Sequence, residues 1–248
     1  MSLPDNQAKD KGMTSLRKII PGAIAAAAVL ALVGASPAQA EVRTGWIGPT
    51  PPVNGTIFLH TSTIDNGGVP IASSRIYTSF ANVVSPGIMG AKARLFREGA
   101  LCSATDYRFN ALISNSQVAS TQRDCGAGFY NSHGFVAVLN QSNGAINEYV
   151  TFPTDPLQFP APSALQRQPA LTAGESGVNA RGESYGDALN VQSDAELPDL
   201  VSAIGSDLQA GFVRASDLTA QPSTDTATTR IVPLLSREGE TIGQFQIG

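Results

Sequence analysis

The chain has 248 residues, a formal net charge of −4, 15% charged residues and two cysteines. That acidic balance argues against nucleic acid as a partner, because phosphates would be repelled. The cysteines, Cys102 and Cys125, are not spaced as a Cys-x-x-Cys redox pair, and a metal site would need further ligands.

Leu16-Arg17-Lys18 leads into an apolar run from Ile19 to Ala35, and Ala38-Gln39-Ala40 stands just before Glu41. A basic start, a short apolar segment and an Ala-x-Ala site make the pattern of a secretory signal peptide, expected over residues 1–40. A membrane-spanning helix fits less well. The run is only marginally long enough for ~30 Å of hydrocarbon, and no basic stop-transfer flank follows. Met13 is the better initiator, since Asp5 and Asp10 interrupt the basic region before it. Without residues 1–40 the chain keeps 12 basic and 18 acidic residues, a net charge of −6, and no transmembrane segment is expected to remain. Export makes a Cys102–Cys125 disulfide the simplest reading of the pair.

After Glu41 the chain opens with a turn-rich lead-in, in which Pro49, Pro51 and Pro52 continue no helix. Trp46, the sole tryptophan, is expected to pack against the sheet, with a ligand-stacking platform as the alternative. Thr56–His60 reads as a first short strand and Asp65-Asn66-Gly67-Gly68 as a turn. Residues 76–84 alternate as a strand with two covered faces. Ala91–Phe96 alternates too, Lys92 and Arg94 on one face, Ala93 and Leu95 on the other, as in a half-buried strand. Tyr107–Ile113 and Val118–Arg123 read as two strands of a hairpin closed at its base by the disulfide. Gly126–Leu139 reads as a long strand kinked at Ser132-His133-Gly134, and Asn143-Gly144 marks a hairpin returning through Ile146–Phe152. Six or seven short strands separated by turns give a mainly β domain over 41–152, an antiparallel sandwich or barrel.

Residues 153–176, with Pro156, Pro160, Pro162 and Pro169, read as a linker or strap. Beyond them lies a small acidic α+β module, 177–248. Charge supports the boundary: residues 41–168 hold 8 bases and 7 acids, whereas 169–248 hold 4 bases and 11 acids. Leu197, Leu200, Val201 and Ile204 make a helical stripe, with Asp194 as N-cap and Gly205 as stop. Gly211–Arg214 reads as a strand, and Arg230–Leu235 with Thr241–Ile247 as a closing hairpin in which Pro233 implies an edge or a bulge.

The strings Asn179–Asp187, Glu196–Gly205 and Gly211–Leu218 resemble a C-terminal module of uncharacterised secreted proteins of Gram-positive bacteria. The resemblance carries no activity with it. Gly211-Phe-Val-Arg-Ala-Ser-Asp-Leu218 is also similar to the last strand of bacterial SH3-like wall-binding domains, in which an aromatic follows glycine.

Candidate chemistry is sparse. Gly182-Glu-Ser184-Tyr-Gly186 matches a nucleophile-elbow string, but no histidine follows Ser184 and no buried strand precedes it, so a turn is expected. His60 and His133 are the only histidines. With Asp106 or Asp124 they would suffice for an acid–base pair or a metal site, yet nothing in their spacing brings them together. The acids Asp187, Asp194, Glu196, Asp199 and Asp207 form no calcium-loop pattern. Lys92, Arg94, Arg97 and Arg108 are candidates for a basic patch toward anionic wall polymer, with interspersed surface charge as the blander reading. No cofactor is implied. The reading that follows is an exported, non-enzymatic binding or accessory protein of the extracellular space or cell envelope. Its partner would be cell-wall polymer or another extracellular protein. The alternative is a secreted hydrolase using His133, His60 or Ser184.

Overall fold

The computed structural model describes residues 40–160, 175–219 and 229–248, all within one compact unit. The expected leader up to residue 39 and most of the expected linker lie outside the described residues. Among the described residues no helix is long and apolar enough to cross a membrane.

Strands dominate. The chain runs through β1 (Val42–Thr44), β2 (Gly48–Pro49), β3 (Phe58–Asp65), β4 (Ile71–Thr78), β5 (Met89–Lys92) and β6 (Arg94–Arg97). It continues through β7 (Ala100–Ala104), β8 (Arg108–Phe109), β9 (Ser116–Gln122), β10 (Gly128–Ser132), β11 (Phe135–Leu139), β12 (Ile146–Val150) and β13 (Leu157–Phe159). The C-terminal part holds β14 (Gly177–Val178), β15 (Ser184–Gly186), a 3₁₀ turn at Asp194–Glu196, β16 (Leu200–Ile204) and β17 (Ala210–Arg214). The short helix α1 (Ala215–Thr219) precedes the closing strands β18 (Arg230–Leu235) and β19 (Thr241–Ile247).

Three sheets result. The first has the order β1-β3-β4-β9, with β2 beside β3, and β4 pairs along its length with both neighbours. The alternation of β4, with Ala72, Ser74, Ile76 and Thr78 buried, gives this sheet one covered face. Two different sheets cover it end to end. Phe58, Ile76 and Ala119 pack against Met89, Ala91, Val136 and Val138 of the sheet β12-β11-β5-β8. Ile64 and Ala72 share a second core with Leu95, Cys102, Cys125 and Tyr130. The covering strands change sheet together, since β5 passes into β6 at Ala93 and β10 into β11 at His133-Gly134. Such corners let a strand serve two sheets.

The corner is fixed by specific bonds. Ala93 N–H donates to Thr105 Oγ1 at 2.9 Å, and Thr105 N–H donates to the Ala93 carbonyl at 2.9 Å. His133 N–H donates to the Arg94 carbonyl at 3.3 Å, and Gly134 N–H to Thr151 Oγ1 at 2.9 Å. A Cβ on Gly134 would collide with the Lys92 carbonyl oxygen and the Ser74 hydroxyl, so only glycine fits there. The kink expected at residues 132–134 is therefore the place where a strand leaves one sheet for another.

The remaining sheet has ten strands in the order β13-β10-β6-β7-β19-β18-β17-β16-β15-β14. β7 also pairs with β16, at Leu101 and Ala203, which closes a ring of five strands: β7, β19, β18, β17 and β16. Leu101, Ala104, Val201, Val213, Leu234, Phe245 and Ile247 fill it, with Leu218 of α1 packed in.

The fold is thus mainly β, antiparallel in most of its pairs and sandwich-like, with Cys102 and Cys125 bonded (S–S 2.04 Å). The hairpins at Asn143-Gly144 and at residues 230–247 form as expected, and the register shift at Leu234/Leu235 places a bulge beside Pro233. Several expectations need correction. Leu200, Val201, Ala203 and Ile204 are strand, not helix. Neighbours on both sides bury both of its faces, and a short, nearly continuous apolar run carries no decisive period. Tyr107–Ile113 does not form a hairpin with β9. Only Arg108 and Phe109 are strand there, paired with β5, while β9 pairs with β4. Two pairings cross the expected boundary near residue 153. β13 pairs with β10 inside the expected linker, and the ring joins β7 to the C-terminal strands.

Candidate functional site

The sequence candidates disperse. His133 is buried at the corner, its ring among Phe96 and Phe135 with centroids 6.2 and 5.8 Å away. Burial, and after it the Arg94 charge, pushes its pKa down to about 4, so it is neutral at pH 7. His60 lies in β3, stacked on Phe152 at 6.2 Å, and burial lowers its pKa too. Neither Nδ1 has a hydrogen-bond partner. Ser184 sits in β15, not in a turn. Its Oγ and N–H both donate to Asp199 Oδ2 at 2.8 Å, and Asp199 N–H donates back to Ser184 Oγ at 3.0 Å. Those bonds fasten the start of β15 to the start of β16, and no histidine takes part in them.

The basic set does not make a surface patch. Lys92 and Arg94 are buried at 3% and 0% exposure, Arg97 is partly buried, and Arg108 is exposed. Lys92 Nζ donates to Asp194 Oδ2 and to the Leu218 carbonyl, both at 2.8 Å, and Arg94 Nη2 pairs with Asp194 Oδ1. Beside them Tyr107 donates its hydroxyl to Glu148, and Glu148 Oε1 accepts from Asp194 N–H at 3.3 Å. Arg94 stacks 4.4 Å from the Phe135 centroid. Arg97 donates to the Cys125 carbonyl at 2.6 Å. The alternation of Ala91–Phe96 is real, but the expected wet face is covered by residues a hundred positions away. Among the described residues no group of three or more His, Cys, Asp or Glu is placed to hold a metal.

A different feature stands out at one end of the sandwich. The loops β4–β5 and β8–β9 meet there through a bridge, in which Val84 N–H donates to the Ser114 carbonyl at 2.8 Å and Ser114 N–H returns at 3.2 Å. The β2–β3 and β11–β12 connections join the same end, through Ser79 N–H to the Ile57 carbonyl and Asn54 Nδ2 to the Leu139 carbonyl. From the first two loops Phe80, Val83, Leu112 and Ile113 project into solvent, at 80, 63, 77 and 68% exposure. Isolated exposed apolar residues are ordinary. Four on two hydrogen-bonded loops form a patch of the kind that marks an interaction surface.

The loops themselves carry no charge. Residues 44–64, 76–91, 109–122 and 125–147 contain no Asp, Glu, Lys or Arg. Arg75 and Arg108, both exposed, flank the loops, and Arg75 Nε donates to Ser116 Oγ at 3.0 Å. Sequence reasoning missed this surface because it extended two strands into the loops. Residues 76–84 leave the strand after Thr78, and Leu112 and Ile113 fall in a turn. The legible signal was the length of the charge-free runs.

Trp46 is a second departure, since it is 82% exposed and does not pack against the sheet. No family model matches this chain, and neither the curated proteins nor the solved structures contain a match to it.

Proposed function

We propose that this chain is an exported, non-enzymatic binding or accessory protein of the extracellular space or cell envelope, which engages its partner through the uncharged apolar end of the sandwich. The observation that carries the reading is the exposure of Phe80, Val83, Leu112 and Ile113 on two mutually bonded loops. Leaving such side chains in water costs about 25 cal/mol per Å² of apolar area, which a partner recovers on covering them. The leader pattern and the disulfide support export. A hydrolase has less support. Ser184 is engaged by Asp199, and both histidines are buried and held toward their neutral forms without a carboxylate on Nδ1.

The test is binding of the purified protein to washed envelope fractions, beside a Phe80→Ser/Leu112→Ser variant. Retention of the wild type and loss of the variant is the expected result. Equal retention of both, or of neither, overturns the proposal.

A further inference from the structure

Resting on that binding reading, we infer that the partner of the apolar end is a lipid bilayer bearing anionic headgroups, into whose interface the two loops insert. Three observations favour lipid over a protein surface. First, the four apolar side chains stand on two loops joined by the Val84–Ser114 bridge, so they can enter an interface together. Second, the bases of the two loops are tied by hydrogen bonds that hold the tips together. Thr78 Oγ1 donates to the Asn82 carbonyl at 2.8 Å, and Asn110 Nδ2 donates to the Ser85 and Leu112 carbonyls at 2.8 and 2.9 Å. Gly87 N–H donates to the Asn110 carbonyl at 2.8 Å, and the Val84–Ser114 bridge satisfies two more pairs. The tip N–H groups of Phe80, Val83, Leu112 and Ile113 make no internal bond, so insertion is to the headgroup interface, where water still reaches them, and not to the hydrocarbon core.

Third, charge is arranged for it. No acid or base has to be desolvated on the tips, where each would carry a heavy penalty. Behind them stand two exposed arginines, Arg75 and Arg108, with no acidic residue in the loops between, on a chain of net charge −4. Basic side chains at the headgroup level, behind an apolar anchor, are the arrangement anionic lipid attracts. The uncharged polar residues of the loops, Asn82, Ser85, Asn110, Ser114 and Asn115, then lie at the depth of the headgroups.

The experiment is sedimentation of the chain without its expected leader, residues 41–248, with vesicles of pure phosphatidylcholine and of equal phosphatidylcholine and phosphatidylglycerol. The wild type is compared with Phe80→Ser/Leu112→Ser and with Arg75→Gln/Arg108→Gln. Binding to the phosphatidylglycerol vesicles is expected. The serine variant loses it by at least tenfold, and the glutamine variant loses about fivefold per arginine and most of its preference over phosphatidylcholine. Unchanged thermal unfolding of both variants, whose substituted side chains are exposed, shows that folding is not the cause. Absence of vesicle binding overturns the lipid assignment. If envelope binding still depends on Phe80 and Leu112, the partner is a protein or polymer and the binding reading survives. If envelope binding fails as well, both fall. A wild-type dimer that becomes monomeric in the serine variant identifies a second copy as the occupant and also overturns the assignment.

Discussion

Lys92 and Asp194 stand 102 positions apart in the chain and 2.8 Å apart in space, ammonium against carboxylate. Asp194 also takes Arg94, so one carboxylate compensates two buried cations and fastens the C-terminal segment to the corner. Asp194→Ala strips both cations of their partner and is expected to destabilise by about 3–5 kcal/mol in urea unfolding. Lys92→Met leaves the Arg94–Asp194 pair intact and is expected to lose much less. Burial, then the Arg94 charge, holds Lys92 down to about 8, below its unfolded value near 10.4. The unfolded chain therefore binds that proton more tightly, and stability rises as pH climbs between those values. The rise should vanish in Lys92→Met. Equal losses for the two variants would sink the one-carboxylate account.

The second expectation concerns acid. His133 titrates near 4 when folded and near 6.5 when unfolded, so its contribution is fully present above about pH 6.5 and is lost as pH falls through about 4. The loss amounts to roughly 3 kcal/mol if the ring stays in place. Asp194 acts in the same direction at lower pH. Burial alone would raise its carboxyl, but the Arg94 and Lys92 charges outweigh burial and hold it below its ordinary value. His133→Phe, in a site already lined by Phe96 and Phe135, should keep stability at pH 8 and flatten the curve between pH 6.5 and 4. An unchanged slope in that variant would refute the assignment.

A fragment of residues 175–248 lacks β7, the strand that closes the five-stranded ring between β19 and β16. It would leave Val201, Phe245 and Ile247 without Leu101 and Ala104. We expect the fragment to show no cooperative thermal transition and little amide dispersion by NMR. A dispersed, cooperatively melting fragment would restore the C-terminal part as an independent module.

Cys102 and Cys125 close a loop 23 positions long, and in the chain-entropy account removing the bond costs ~3 kcal/mol. The surroundings are tied down independently. Arg123 Nη1 donates to the Cys102 and Ile204 carbonyls at 2.9 and 3.1 Å, and Cys125 N–H donates to Tyr130 Oη at 2.9 Å. A Cys102→Ala/Cys125→Ala chain is therefore expected to fold with a lowered denaturant midpoint. A chain that fails to fold at all would assign the bond a larger part in holding the core around Leu95 and Tyr130.

Trp46, being 82% exposed, should emit near the wavelength of free tryptophan in water and be quenched readily by acrylamide. A blue-shifted, protected emission would return it to the packed position expected from composition.

Local chemistry was enough to read much of the chain. The Asn143-Gly144 and 230–247 hairpins, the kink at His133-Gly134 and the mainly β class follow from turn residues and period-two alternation, which act within a few residues. The cysteine pairing was legible because only two were present. Contacts across the molecule decided the rest. Leu200–Ile204 became a strand because neighbours bury both faces, and Lys92 and Arg94 went inside because Asp194 and the Leu218 carbonyl meet them there. The apolar end followed the same logic in reverse. Phe80 and Leu112 look like strand residues by type, and only the early end of β4 and the turn after β8 leave them outside. Sequence by itself determined where the chain turns and which residues are apolar. Tertiary structure decided which of them water still sees, because burial depends on what arrives from elsewhere in the chain.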